Sequence, residues 1–262
     1  MRKNQKQDLL NKSDSLRIFG LGPLRILLGN DDLTTVNWRT KKVRDLLIYL
    51  AHYQEPATRE RIIENLWPDY QDQKPVNLFH TTLYWLRQLL HKYTSHDLII
   101  FKGGRYRLLD HNLETDWRRF EKLALSADER GVLSDLRARQ MEEAILLYRG
   151  HYLEELDYPW LHSYQEYYRN LYIQTRLRLA RFYITTKEYQ KAYIHLLRLM
   201  ENDFLMDEAH VLMMTVYAEN GDRIGAFRHY QKMAKAYRDE YGISPPPEAA
   251  RLYNTICHLK IG

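Results

Sequence analysis

Apolar and polar positions alternate most informatively between Pro75 and Tyr93. Phe79, Leu83, Leu86 and Leu90 recur there at intervals of four, three and four residues, the spacing of one face of a helix. The opposite face carries Asn77, Thr81, Tyr84 and Gln88, with His80, Trp85 and Arg87 on its flanks. One side can dock on a protein body while the other presents hydrogen-bonding groups outward. Such a helix suits the major groove, where Asn, Gln, Thr and Arg match base edges or phosphates. The sequence LIIFKGGRYRLL follows closely and predicts a β-hairpin with Gly103-Gly104 at its tip, because both glycines tolerate the positive φ of a two-residue turn. Lys102 and Arg105 flank that tip. A presented helix with a basic-tipped wing predicts a DNA-reading winged helix. An amphipathic helix in an ordinary α+β domain satisfies the same pattern.

The flanking segments fit the first reading. Residues 1–15 are polar and predict a flexible arm. LRIF and PLRILL read as short strands separated by Gly20, Gly22 and Pro23, with a turn at Gly29 to Asp32. After Trp38-Arg39, Val43, Leu46, Leu47 and Leu50 mark a helix that should end near Gln54, since Pro56 disfavours helical geometry at Glu55. Thr58 is placed as the N-cap of the next helix, whose apolar residues are Ile62, Ile63, Leu66 and Trp67. A polar loop over 69–74 leads to Pro75, which suits a first helical turn. Strands, three helices and a hairpin are the winged-helix order with extra strands in front.

Beyond Asn112 strand-like runs stop and amphipathic helices follow one another. The patterns place them at Trp117–Ser126, Asp135–Tyr148, Leu161–Thr186, Glu188–Glu201, Asp207–Asn220, Arg223–Tyr241 and Glu248–Lys260. Within them Leu179, Tyr183, Ala192 and Leu196 match Met213, Tyr217, Ala226 and Tyr230 at an offset of 34 residues. That offset is the tetratricopeptide period, in which helix–turn–helix units stack. Thr186-Lys187 and Asn220-Gly221-Asp222 are the turns within the two repeats. The predicted organisation is an α+β winged helix-turn-helix domain over 16–112 and an all-α tetratricopeptide-like domain over 113–262.

Charge follows the same division. Residues 1–110 hold 18 Lys and Arg against 12 Asp and Glu, and the remainder 21 against 22, within a total of +5. A basic module joined to a near-neutral one fits a nucleic-acid reader linked to a protein-facing part. No run of 18 apolar residues predicts a membrane span, and the N-terminus lacks a signal-peptide core. With Cys257 as the sole cysteine, an intrachain disulfide and a cysteine-based zinc site are excluded, which fits a cytoplasmic protein. Cys257, among Leu252, Ile256 and Leu259, reads as a packed structural thiol. No HExxH, nucleophile elbow or phosphate-binding glycine loop is present, so no enzyme, cofactor or metal is expected. Of 21 tyrosines, Tyr164, Tyr167, Tyr168 and Tyr172 cluster near Trp160. They read either as repeat-core packing or as a groove for a peptide or ligand.

WRTKKVRDLLIYLA, TRERIIENLWPD, NLFHTTLYWLRQLL and the wing ending GGRYRLL together resemble the OmpR/PhoB-type winged helix of the Streptomyces antibiotic regulatory protein family. TDWRRFE, EEAILLYRGHYLEEL, the Pro159-Trp160 pair, DEAHVLMMTVYAENGDRIGAFRHY and YGISPPPEAARLYNTI resemble that family's companion, the bacterial transcriptional activator domain. The resemblance implies sequence-specific binding of promoter DNA, often as side-by-side copies on direct repeats, by a transcriptional activator. It places Asn77, His80, Thr81, Thr82, Tyr84, Trp85, Arg87 and Gln88 at or near DNA, with Lys102 and Arg105 at the wing. For the helical half it implies homodimerisation, RNA polymerase contact, or both. Members of the family commonly carry Arg, Gln or small polar residues on this face, and Tyr84 and Trp85 depart from that pattern. They keep a second reading open, a protein–protein adaptor whose winged helix no longer binds DNA.

Overall fold

The structure is a computed structural model that describes residues 15–53, 55–69, 74–109, 113–125, 133–202 and 205–258. Apart from Ser15, the expected N-terminal arm lies outside the described residues. In chain order the elements are β1 (Leu16–Phe19), β2 (Arg25–Leu28), β3 (Asp31–Asp32), α1 (Lys41–His52), β4 (Ala57–Thr58), α2 (Arg59–Leu66), α3 (Lys74–Leu90), β5 (Ile99–Lys102), β6 (Arg105–Leu108) and β7 (Leu113–Thr115). The helices α4 (Asp116–Leu125), α5 (Asp135–Leu147), α6 (Pro159–Thr185), α7 (Tyr189–Asn202), α8 (Asp207–Glu219), α9 (Arg223–Tyr241) and α10 (Pro247–His258) complete the described chain. The fold is a winged helix followed by tetratricopeptide-like helices. It divides into two compact units, 1–122 with 146–169, and 123–145 with 170–262.

The first unit contains two sheets. One has the order β3-β2-β1-β7, and the other β4-β6-β5. Asp31-Asp32, expected only as a turn, forms the edge strand β3 against Leu27 and Leu28. β7 is a strand beyond residue 112, where none was expected; it runs parallel to β1, with Leu16 opposite Leu113. At its end Asp116 opens α4 and accepts the N–H groups of Gly20 at 2.8 Å and Leu21 at 3.1 Å. The segment after α5 closes on the same loop, with Arg149 N–H donating to Leu21 O and Leu153 N–H to Gly20 O. Gly22, at φ 120°, lets the chains approach closely, since a Cβ there would lie 3.0 Å from Cβ of Arg149. The Gly-Leu-Gly is therefore a packing site.

Aromatic side chains and two polar bonds join α1 to the start of α6 within this unit. The Tyr158 hydroxyl donates to buried Asp45 at 2.6 Å, and His52 Nδ1 pairs with the Tyr152 hydroxyl at 2.8 Å. Arg118 donates to the carbonyls of Ala51 and His52, satisfying the end of α1. Tyr168 packs against Tyr152, Tyr164 against His52, and the Tyr167 hydroxyl reaches Glu121. These three tyrosines thus belong to the first unit and not to the repeat core. They line an open groove of about 720 Å³ with His52, Tyr53 and Arg61. Tyr172 alone of the four packs against the repeat core.

In the second unit one cluster joins α5 through Met141, α6 through Leu179 and Tyr183, α7 through Ala192 and Leu196, and α8 through Met213. A second cluster joins the other side of α8, through Met214, to Ala226, Tyr237 and Ile256. The 34-residue offset persists in the contacts. Arg176 lies 3.3 Å from His195 and His210 lies 2.9 Å from His229. The Tyr183 ring stacks on His195 at 5.7 Å and Tyr217 lies 5.9 Å from His229. Lys187 and Gly221, equivalent turn positions, both adopt positive φ. Cys257 departs from expectation: it is exposed, because one residue is about 100° of helix rotation away from buried Ile256.

Two predictions follow from the buried polar groups. Asp116→Ala removes the acceptor of two buried N–H groups and is expected to cost about 2–4 kcal/mol, read from the urea midpoint of the full chain. Burial drives His52 and His229 down to about 4, aided by Arg118 for the first and by His210 and Lys232 for the second. Both stay neutral in the fold while the unfolded chain takes up protons near pH 6.5. Stability should therefore fall as pH drops from about 6.5 to 4, and His229→Gln should flatten that loss in thermal melts recorded across the range.

Candidate nucleic-acid interface

α3 is seated by its apolar seam. Phe79, Leu83, Leu86 and Leu90 are all buried, as the spacing predicts, and Leu89 joins them. The rest of the circumference is an exposed arc carrying Asn77, His80, Thr81, Tyr84 and Gln88. Tyr84 is 53% exposed. Two residues that the resemblance places at or near DNA lie outside this arc. Thr82 is 7% exposed and lies on the buried side, because its helical position falls next to Phe79, Leu86 and Leu89. Arg87 is half-buried and donates to the Ile99 carbonyl at 3.2 Å, fastening the first wing strand to the helix. Trp85 is also half-buried, with the Arg39 guanidinium 3.4 Å from its ring centroid.

The wing is the β5–β6 hairpin. Lys102 faces Arg105 across Gly103-Gly104, whose φ values of 60° and 75° are those a type I′ turn demands. Both cations are exposed. The root of the hairpin is tied to the helix through Tyr106, 5.1 Å from Phe79 and 4.5 Å from Phe101 ring to ring. β6 also pairs with β4, immediately before α2, and Thr58 caps α2 by accepting the Arg61 N–H. Helix face and wing tip are thus parts of one packed body.

The chemistry of the surface is one-sided. α3 contains no Asp or Glu. The Asn77 and Gln88 amides each present a donor and an acceptor, the pattern that can pair with adenine in the major groove. Lys102 and Arg105 supply exposed positive charge of the kind that displaces counterions from phosphates. The sequence reading missed exposed Lys92, which follows α3 in a turn and lines the same notch as Gln88. It also missed Arg39, for which the local pattern held no signal.

Among the described residues no group of three His, Cys, Asp or Glu side chains is placed to hold a metal, and no helix is long and apolar enough to cross a membrane.

Residues 115–257 match the family model of the bacterial transcriptional activator domain. Regulatory protein AfsR of Streptomyces griseus is 23% identical over 249 residues, covering 93% of this chain. The chain spans 25% of that relative's length. The solved structure of Mycobacterium tuberculosis EmbR in complex with a low-affinity phosphopeptide matches with a TM-score of 0.74 and 20% identity, over 94% of this chain and 66% of that one. That structure shares the fold. The chain belongs to the bacterial transcriptional activator domain family, and it carries a winged helix in front of that domain, the arrangement of regulators similar to the Streptomyces antibiotic regulatory proteins.

Proposed function

We propose that this regulator reads promoter DNA in the cytoplasm, with α3 in the major groove and the β5–β6 wing over neighbouring phosphates, and that it acts as an activator. The observation that carries this reading is the exposed, carboxylate-free arc of α3 beside a wing tipped by Lys102 and Arg105. Asn77, His80, Thr81, Tyr84 and Gln88 are the base-facing candidates. Arg87 contributes indirectly, by holding Ile99 and so the wing, and Thr82 by packing behind the face. The second unit serves self-association or RNA polymerase contact. Family membership and the exposure of Ile194, Leu197, Ile224 and Phe227 support that role. Two copies side by side would read a direct repeat. Exposed Tyr84 and Leu78 on α3 favour one competing reading, an adaptor that docks protein on this helix.

Selection of genomic fragments with the purified chain tests the choice. The expected result is an enriched direct repeat, bound more tightly than scrambled DNA and less tightly as salt rises. Equal, weak binding to both at every salt concentration would transfer the assignment to the adaptor. Point variants refine the picture. Lys102→Ala should weaken enriched and scrambled DNA alike and reduce the salt slope by about 1, whereas Gln88→Ala should cost about 1–3 kcal/mol and relax preference at one base pair. Fluorescence anisotropy titrations against single-base variants of the enriched site measure both effects.

A further inference from the structure

We propose that Arg39, laid flat on Trp85, forms a phosphate-binding site at the edge of α3 whose ligand is the DNA backbone beside the groove. The loop before α1 is built to deliver this side chain. Trp38 is buried and its Nε1 donates to the Leu33 carbonyl at 3.0 Å, which anchors the loop. Asn37 Oδ1 accepts the Arg39 N–H at 2.9 Å, the Asx turn that lets a short polar side chain stand in for backbone. Arg39 itself has φ 64°, a left-handed conformation that a residue with a Cβ adopts only against a steric cost. Three local constraints thus fix the backbone from which Arg39 reaches Trp85.

The contact itself leaves Arg39 chemically available. A guanidinium stacked on a ring uses its π face and keeps its N–H edge free to donate. Among the described residues the Arg39 guanidinium makes no hydrogen bond or ion pair; Trp85 is its partner. Beside the stack lies a notch of about 370 Å³ between Arg39, Asn37, Trp85, Gln88 and Lys92. It holds two cations and two amides and no carboxylate. α1 starts at the next residue but one. Its N-cap, Thr40, makes no side-chain capping bond, and its first turn has Lys41 and Lys42 with no acid, so no first-turn carboxylate neutralises the positive end of the helix. An anion fits this notch. On the reading proposed above, α3 lies in a groove, and the flank bearing Trp85 then meets the strand that borders it. Trp85 becomes a positioning residue that shelves Arg39, and its ring is not a base reader.

This inference rests on the DNA-reading function, and one set of titrations separates the two. The full chain and its Arg39→Gln, Trp85→Ala, Trp85→Phe and Arg39→Gln/Trp85→Ala variants are titrated with the enriched fragment and with scrambled DNA at several salt concentrations. Arg39→Gln should weaken both DNAs by the same factor, about 3- to 10-fold, with the salt slope smaller by about 1. Trp85→Ala should reproduce that loss, Trp85→Phe should retain most of the affinity, and the double variant should be no worse than either single one, because the two residues act as a unit. A change of base preference in Trp85→Ala, or additive losses in the double variant, would overturn the shelf. Should Arg39→Gln bind like the wild type, or lower only the melting temperature, the phosphate site falls while DNA reading stands. A wild-type chain without salt-sensitive binding overturns both. Arg39 is exposed, so its variant decides the matter even where Trp85→Ala unfolds.

Discussion

The first unit depends on how one tripeptide, Gly20-Leu21-Gly22, satisfies its backbone. The N–H groups of Gly20 and Leu21 go to the two oxygens of Asp116, 96 and 95 residues away, and the carbonyls of the same two residues take N–H groups from Leu153 and Arg149. Burial raises the Asp116 pKa, and the N–H groups that it accepts from offset only part of that rise. A buried carboxylate is tolerable when donors surround it. Because the loop receives the 149–153 segment, the start of α6 lands against α1, where Tyr158 reaches Asp45 and Trp160 packs on Tyr49 and Tyr53. α1 in turn supports α3. The presented face of α3 therefore rests on contacts made far along the chain.

Where a segment's environment repeats with its own period, the sequence was enough to read it. The α3 seam, the Gly-Gly wing turn, the Thr58 cap and the order of the later helices all came from local chemistry, whereas the expected helix ends at Ser126 and Lys260 lie outside the described residues. Other features came from neighbours that no local pattern encodes. β7 is three residues long, and what makes it a strand is the distant edge of β1. Thr82 is buried among Phe79, Leu86 and Leu89, and Arg87 occupies the border of the exposed arc, where a partner, the Ile99 carbonyl, decides between inside and outside. Tyr164 and Tyr168 have the spacing of repeat-core residues yet pack around His52 and Tyr152. Among the candidate DNA residues, side-chain types showed which could hydrogen-bond, and tertiary packing sorted which of those are presented.

The repeats show geometry outlasting chemistry. Arg176 with His195 and His210 with His229 occupy matching places, but the first pair engages Glu142 through His195 Nε2 at 3.0 Å while the second joins two imidazoles. Lys187 and Gly221 share a left-handed turn although only the glycine adopts it without steric cost. Helix spacing tolerates these exchanges so long as Ala192 and Ala226, both fully buried, keep neighbouring helices close.

The first unit is discontinuous in sequence: the chain leaves it after Lys122, rejoins it at Leu146 and leaves again after Arg169. Such a unit cannot be exchanged between proteins as a cassette cut just after the wing. A crossover at residue 112 would strip away Asp116, Tyr152 and Tyr158 and leave the Gly20 loop, His52 and Asp45 facing whatever sequence arrived. An exchange that preserves the first unit must carry the chain through Arg169, because the winged helix and the opening of the helical half pack as one body.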